Sequence, residues 1–137
     1  MSTIVKNENG NIKIKNQVIK MLILRHIILM DDMILPANPK GKILKKNLFA
    51  TNKDLLQSIE IDGNAAHDIR IYLAIFERVG SNEVLHKIVS IINNIYYELC
   101  LEQKKSVTIF IKQIILENPI GDKKTKEVNI KMKKSLK

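Results

Sequence analysis

Three histidines, one cysteine and the pair Asp31–Asp32 are the groups of this 137-residue chain best suited to metal, acid–base or nucleophilic chemistry. A zinc site needs several imidazole or thiolate ligands that converge at close spacing. His26, His67 and His86 fall in three different predicted elements, and none has a second His or a Cys at metal-ligand spacing. The pattern predicts a semi-buried polar group for His26, a strand-start residue for His67 and a solvated helix residue for His86. His67–Asp68 has the composition of a catalytic pair, but neighbours on a strand point to opposite faces, so the two side chains diverge. Cys100 is the single cysteine, which excludes an internal disulfide. It would act as a nucleophile only beside a base, and a small buried or half-buried thiol is the expectation. Asp31–Asp32 lacks a third ligand nearby. No catalytic or metal-binding residue is assigned, no cofactor is implied, and the chain reads as a non-enzyme.

Phosphate-cradling loops need clustered glycines, because backbone N–H groups must approach the anion closely. Gly10, Gly41, Gly63, Gly80 and Gly121 are scattered, so the P-loop, the dinucleotide fingerprint and the GXXG clamp of KH domains are absent. Lysine is abundant instead. The formal net charge is +9 and the pI about 9.7, a balance that draws acidic proteins, nucleic acid or anionic surfaces. Lys40, Lys42, Lys45 and Lys46 crowd one loop, and Lys123, Lys124, Lys133 and Lys134 crowd the C-terminal end. These eight are the candidates for phosphate or anionic-surface contact without sequence preference. A solvated charge run is the plainer alternative.

The elements that must position these groups follow from hydrophobic period. "GNIKIKNQ" (10–17) alternates, with Ile12 and Ile14 on one side, and predicts a short half-buried strand ending at a capping Asn16. "VIKMLILRHIILM" (18–30) predicts a wide-faced, largely buried helix, with a strand as the alternative. It is shorter than the roughly 20 residues of a membrane-spanning helix and carries Arg25–His26 at its centre, so no span is expected. Pro36, Pro39 and Gly41 mark a loop over 36–54, with a short strand considered over Ile43–Ala50. "LLQSIEID" (55–62) and "HDIRIYLAIFE" (67–77) both alternate around Asp62–Gly63, a hairpin signal. Ile69, Ile71, Leu73 and Ile75 point inward; Arg70, Tyr72, Ala74 and Phe76 point to the other face. After a break at Val79–Asn82, with Ser81 or Asn82 as cap, Val84, Leu85, Ile88, Ile91, Ile92, Ile95, Tyr96 and Leu99 define an amphipathic helix. "KKSVTIFIKQII" (104–115) returns to period two.

The fold class expected is α+β: a two-layer sandwich with a mixed or antiparallel sheet of about four to five strands and two helices on one face, in the order β-α-(β)-β-β-α-β. Residues 1–118 read as one domain. Residues 119–137 read as a mobile Lys-rich tail, since from Gly121 seven lysines face only Asp122 and Glu127 and lysine-rich segments with little apolar content do not fold alone. The N-terminus shows no apolar signal segment, and a cytoplasmic location is expected.

Three stretches carry a resemblance: "GNIKIKNQVIKMLILRHI", "HDIRIYLAIFERVGSNEVLHKIVSIINNIYYEL" with Gly80 and Asn82 in its turn, and "SVTIFIKQI". Their order over residues 8–116 resembles the alkaline shock, or envelope stress response, family of Gram-positive bacteria and mollicutes. The chain departs from it in its bulky first helix and in Asp31–Asp32–Met33, where that family has a glycine. The resemblance implies a non-catalytic cytoplasmic protein that self-associates or associates with protein partners, including membrane-anchored ones. The residues singled out for partner contact are Leu24 and Ile28 on the first helix and Tyr72, Phe76 and Phe110 on the sheet. The second expectation is an RNA-binding or ribosome-maturation factor with a KH-like fold, similar to ribosome-binding factor A in size, basicity and hairpin–helix–strand order.

Overall fold

The computed structural model describes residues 8–44, 52–119, 121 and 124–136, with side chains described from Lys15 onward except that of Asn52. Helix α1 spans Glu8–Leu29, strand β1 Ile34–Pro36, helix α2 Asn52–Leu55, strand β2 Ile59–Asp62, strand β3 Ala66–Phe76, helix α3 Ser81–Glu98, strand β4 Lys104–Ile115 and strand β5 Thr125–Leu136. A 3-10 turn, Leu56–Ser58, links α2 to β2, and the Ser58 hydroxyl donates to the Leu55 carbonyl at 2.8 Å. Among the described residues the strands form one mixed sheet in the order β1–β3–β4–β5, with β2 paired to β3 beside β1. The expected α+β class is observed, and of the alternatives for the sheet, mixed or antiparallel with about four to five strands, the mixed sheet with five strands is the one formed.

The hairpin is present, with Ile59 opposite Ile71 and Ile61 opposite Ile69. Its first half is shorter than expected, because residues 55–58 are helical. The turn is also wider than Asp62–Gly63. Asp62 pairs with Asp68, and Gly63 adopts φ +102°, a backbone conformation that L-residues rarely reach. β3 and β4 run parallel from Ala66/Lys104 to Phe76/Ile115. A parallel pair needs a crossover, and α3 supplies it.

Residues 10–17 are helical, not a strand, and Asn16 lies inside α1. A four-residue alternation is too short to outweigh the longer spacing that puts Ile19, Ile23 and Ile27 on one row of a helix. These three and Leu24 are buried in the core. Gly80, not Ser81 or Asn82, occupies the N-cap of α3, and no side chain caps it. At the other end Cys100 takes φ +57°. There Cys100 N–H donates to Tyr97 O at 3.1 Å and Leu101 N–H to Tyr96 O at 2.9 Å, the paired closure that ends many helices at a left-handed residue. Cys100 is exposed, not buried.

The largest departure is at the C-terminus. The mobile tail is replaced over Thr125–Leu136 by a twelve-residue strand antiparallel to β4. Its even-numbered residues, Val128, Ile130, Met132 and Leu136, pack against the core from the helix side of the sheet. The strand considered at Ile43–Ala50 lies mostly outside the described residues; Ile43 itself forms an isolated bridge with Ala37.

The core lies between the sheet and the two long helices. Ile69, Ile71, Leu73 and Ile75 of β3 and Val107, Ile109 and Ile111 of β4 meet Ile19, Ile23 and Ile27 of α1 and Val84, Ile88 and Ile92 of α3. One extra residue, Lys112, interrupts β4: Ile111 pairs with Leu73, but Gln113 pairs with Ala74. The bulge resets the alternation. Gln113 joins Ala74 on the second face, and Ile114 joins Ile75 on the core side.

Candidate interaction surface

The second face of the sheet has neither long helix over it, because α1 and α3 both pack on the other side. By strand alternation it carries Glu60 and Asp62 of β2, Asp68, Arg70, Tyr72, Ala74 and Phe76 of β3, Ser106, Thr108 and Phe110 of β4, and Lys131 and Lys133 of β5.

Its centre is aromatic. Tyr72 and Phe110 are direct cross-strand partners, and their rings stack with centroids 4.9 Å apart and planes 14° from parallel. The Tyr72 hydroxyl donates to Glu60 Oε1 at 2.8 Å. Burial, and then this bond to a carboxylate, pushes the Tyr72 pKa up to about 12. On the other side the Lys131 ammonium sits 5.9 Å from the Phe110 ring centre.

One flank is acidic and organised by a single guanidinium. Arg70 Nε lies 3.1 Å from Glu60 Oε1, its Nη1 lies 3.2 Å from Asp68 Oδ2, and its Nη2 pairs with Asp62. The hydrogen bond to Asp62, foremost, raises the Arg70 pKa. Ser106 donates to Asp68 Oδ1 at 3.3 Å. The other flank is basic, with Lys131 and Lys133 exposed on β5. Charge therefore changes sign across the width of the sheet.

The loop after β1 closes one end of this face. Asn38 accepts at Oδ1 from the Lys40 and Lys42 backbone N–H groups at 3.0 and 2.9 Å, and Gln113 Nε2 donates to Gly41 O at 2.5 Å. To reach Gln113 from β1 the loop crosses β3 at Ala74, which is fully buried. Lys40 and Lys42 stay exposed on it.

The sheet thus brings Tyr72 and Phe110 together, with Tyr72 only 9% exposed and Phe110 half-buried. Phe76 stands apart at the end of β3, with the Arg78 guanidinium 5.4 Å from its ring centre. Leu24 is only 2% exposed and belongs to the core, which corrects its reading as a partner contact. Ile28 is half-buried and lines an apolar cleft of 340 Å³ with Ile27, Ile34, Leu35, Leu44 and Leu55. Among the described side chains of α1, the large apolar ones that are exposed are Val18, Met21 and Leu29. Lys124, Lys133 and Lys134 are exposed, with Lys133 and Lys134 on opposite faces of β5; Lys45, Lys46 and Lys123 lie outside the described residues. Arg70, Glu60 and Lys131 were not singled out in the sequence. The signal for the first two was the hairpin register, which sets Glu60 opposite Arg70.

His67 and Asp68 diverge as expected. Asp68 joins the Arg70 cluster on the second face, while His67 turns inward, where its Nδ1 and the Tyr96 hydroxyl share a 2.6 Å hydrogen bond. Burial, then the charges of Lys15 and Lys105, lowers the His67 pKa. Lys105 is itself buried, with its ammonium 4.7 Å from the Tyr96 ring centre, and burial lowers its pKa. His26 is half-buried, with its Nδ1 2.9 Å from the Leu22 carbonyl oxygen, and His86 is exposed. Among the described residues no group of three His, Cys, Asp or Glu side chains is placed to share a metal ion. No helix of the described residues is long and apolar enough to cross a membrane. A comparison with known protein families, curated proteins and solved structures finds no match for the chain.

Proposed function

We propose that this protein is a non-catalytic cytoplasmic interaction module of the envelope-stress type, which docks a protein partner on the second face of its sheet. The observation that carries the reading is the Tyr72–Phe110 stack at the centre of a face covered by neither long helix, with an acidic flank on one side and lysines on the other. An aromatic centre with a charged rim is the anatomy of a protein interface. The order of hairpin, α3 and β4 supports the family resemblance; the helix over residues 10–17, where the resemblance implies a strand, does not bear on this face. A partner held at the membrane would bring the protein to the envelope without a span of its own.

A second reading draws on the same stack. Aromatic rings on neighbouring strands, with Lys131 and Lys133 beside them, also suit stacking against single-stranded RNA bases. A photo-crosslinking amino acid at Phe110, with His86 on the exposed side of α3 as the control position, separates the two in cells. Adducts to a protein from position 110 alone support the protein-docking reading. Adducts to RNA from that position replace it with the second, and equal adducts from both positions refute both.

A further inference from the structure

β5 is a long strand at the edge of the sheet, and among the described residues only β4 pairs with it. An edge strand presents a row of backbone N–H and C=O groups that another strand can pair with. Here the row spans twelve residues, more than most strand pairings use. Lysines stand on both sides of it: Lys131 and Lys133 on the second face, Lys126 and Lys134 on the helix side, all exposed, against one carboxylate, Glu127. None of the four is ion-paired among the described residues.

Lysine on an edge discourages pairing with neutral or basic strands. A second copy of this chain would lay one lysine-rich strand along another, with like charges directly opposed, which is destabilising. The same four ammonium groups favour a strand whose side chains are acidic on both faces. We propose that β5 is a strand-addition site for an extended acidic segment of another protein. The segment extends the sheet by one strand through main-chain hydrogen bonds, with its carboxylates against Lys126, Lys131, Lys133 and Lys134. This surface is the rim of the sheet; it shares Lys131 and Lys133 with the basic flank of the Tyr72–Phe110 face, but its main-chain edge does not involve the aromatic stack, so a variant of the stack separates the two proposals.

The test uses the full chain and a fluorescent peptide of about ten residues with the repeat Glu-Glu-Val-Val, which sets carboxylates on both faces of one added strand. Anisotropy at low salt measures binding, and amide hydrogen exchange locates it. The expected result is saturable binding, with exchange slowed at alternate residues of β5. The Lys131→Glu/Lys133→Glu and Lys126→Glu/Lys134→Glu variants are each expected to weaken binding about tenfold or more while keeping the wild-type circular dichroism. Backbone N-methylation of alternate peptide residues should abolish binding, since it removes the donors but leaves the charge. A Tyr72→Ser/Phe110→Ser variant that keeps its fold should bind the peptide as the wild type does. Equal binding of the N-methylated peptide, unchanged β5 exchange, tighter binding of an oligouridine of equal charge, or dimers paired through β5 would each overturn the proposal.

Discussion

His67 Nδ1 and the Tyr96 hydroxyl lie 2.6 Å apart in the core, joining the start of β3 to the last turn of α3. The rings meet edge to face with centroids 5.6 Å apart. Both groups are held neutral by burial, which raises the tyrosine pKa and lowers that of the histidine. Tyr96→Phe removes the hydroxyl from a buried ring nitrogen. It should cost about 1–3 kcal/mol in urea unfolding, the penalty of an unsatisfied buried polar group.

The lowered His67 pKa sets a pH dependence. The unfolded state takes up a proton on this ring at a higher pH than the folded state does, so stability falls as pH drops below the ordinary histidine value of 6.5 toward the folded pKa. Above that value the histidine contributes no slope. Urea midpoints measured between pH 8 and pH 5 should decline, and His67→Gln should flatten the part of the decline just below 6.5.

Cys100 holds a left-handed conformation at the end of α3. A residue with a Cβ pays about 1 kcal/mol there that glycine avoids. Cys100→Gly should therefore raise the urea midpoint with an unchanged m-value. The opposite holds at Gly63, where a Cβ would stand 1.9 Å from the Ala66 carbonyl oxygen at φ +102°. Gly63→Ala should lose about 2 kcal/mol or more, since both strain and a backbone clash act.

Ala74 lies where the loop after β1 crosses the sheet toward Gln113. Ala74→Leu should destabilise by about 1–3 kcal/mol through overpacking. Exchange at Lys42 and Leu44 should quicken as the loop lifts, because their N–H groups bond to Asn38 and Pro36.

Deletion of residues 125–136 tests whether this segment is tail or sheet. A mobile tail could be removed with no change in unfolding. As β5 it covers the outer edge of β4 and packs Val128, Ile130, Met132 and Leu136 against the core. The truncated chain should lose several kcal/mol, as burial of such side chains contributes about 1.5–3 kcal/mol each when complete. Thermal unfolding by circular dichroism, alongside Ile130→Ala as a milder change, reads the difference.

The sequence by itself determined the elements whose period is long and clean. Ile69 to Ile75 and Val107 to Ile111 alternate over enough residues to require a strand with one buried face, and the apolar stripe from Val84 to Tyr96 can be buried only as a helix. It also separated His67 from Asp68, because alternation on a strand is local geometry. Tertiary structure decided the rest. Val128, Ile130, Met132 and Leu136 alternate in the sequence, but an edge strand with so many lysines folds only because β4 offers it backbone partners and a place for one face. The extent of α1, the parallel pairing that stacks Tyr72 on Phe110, and the convergence of Glu60, Asp62 and Asp68 on Arg70 are relations between distant segments. They depend on register and crossover, which local spacing does not encode, and it is they that distinguish the acidic flank, the aromatic centre and the basic edge.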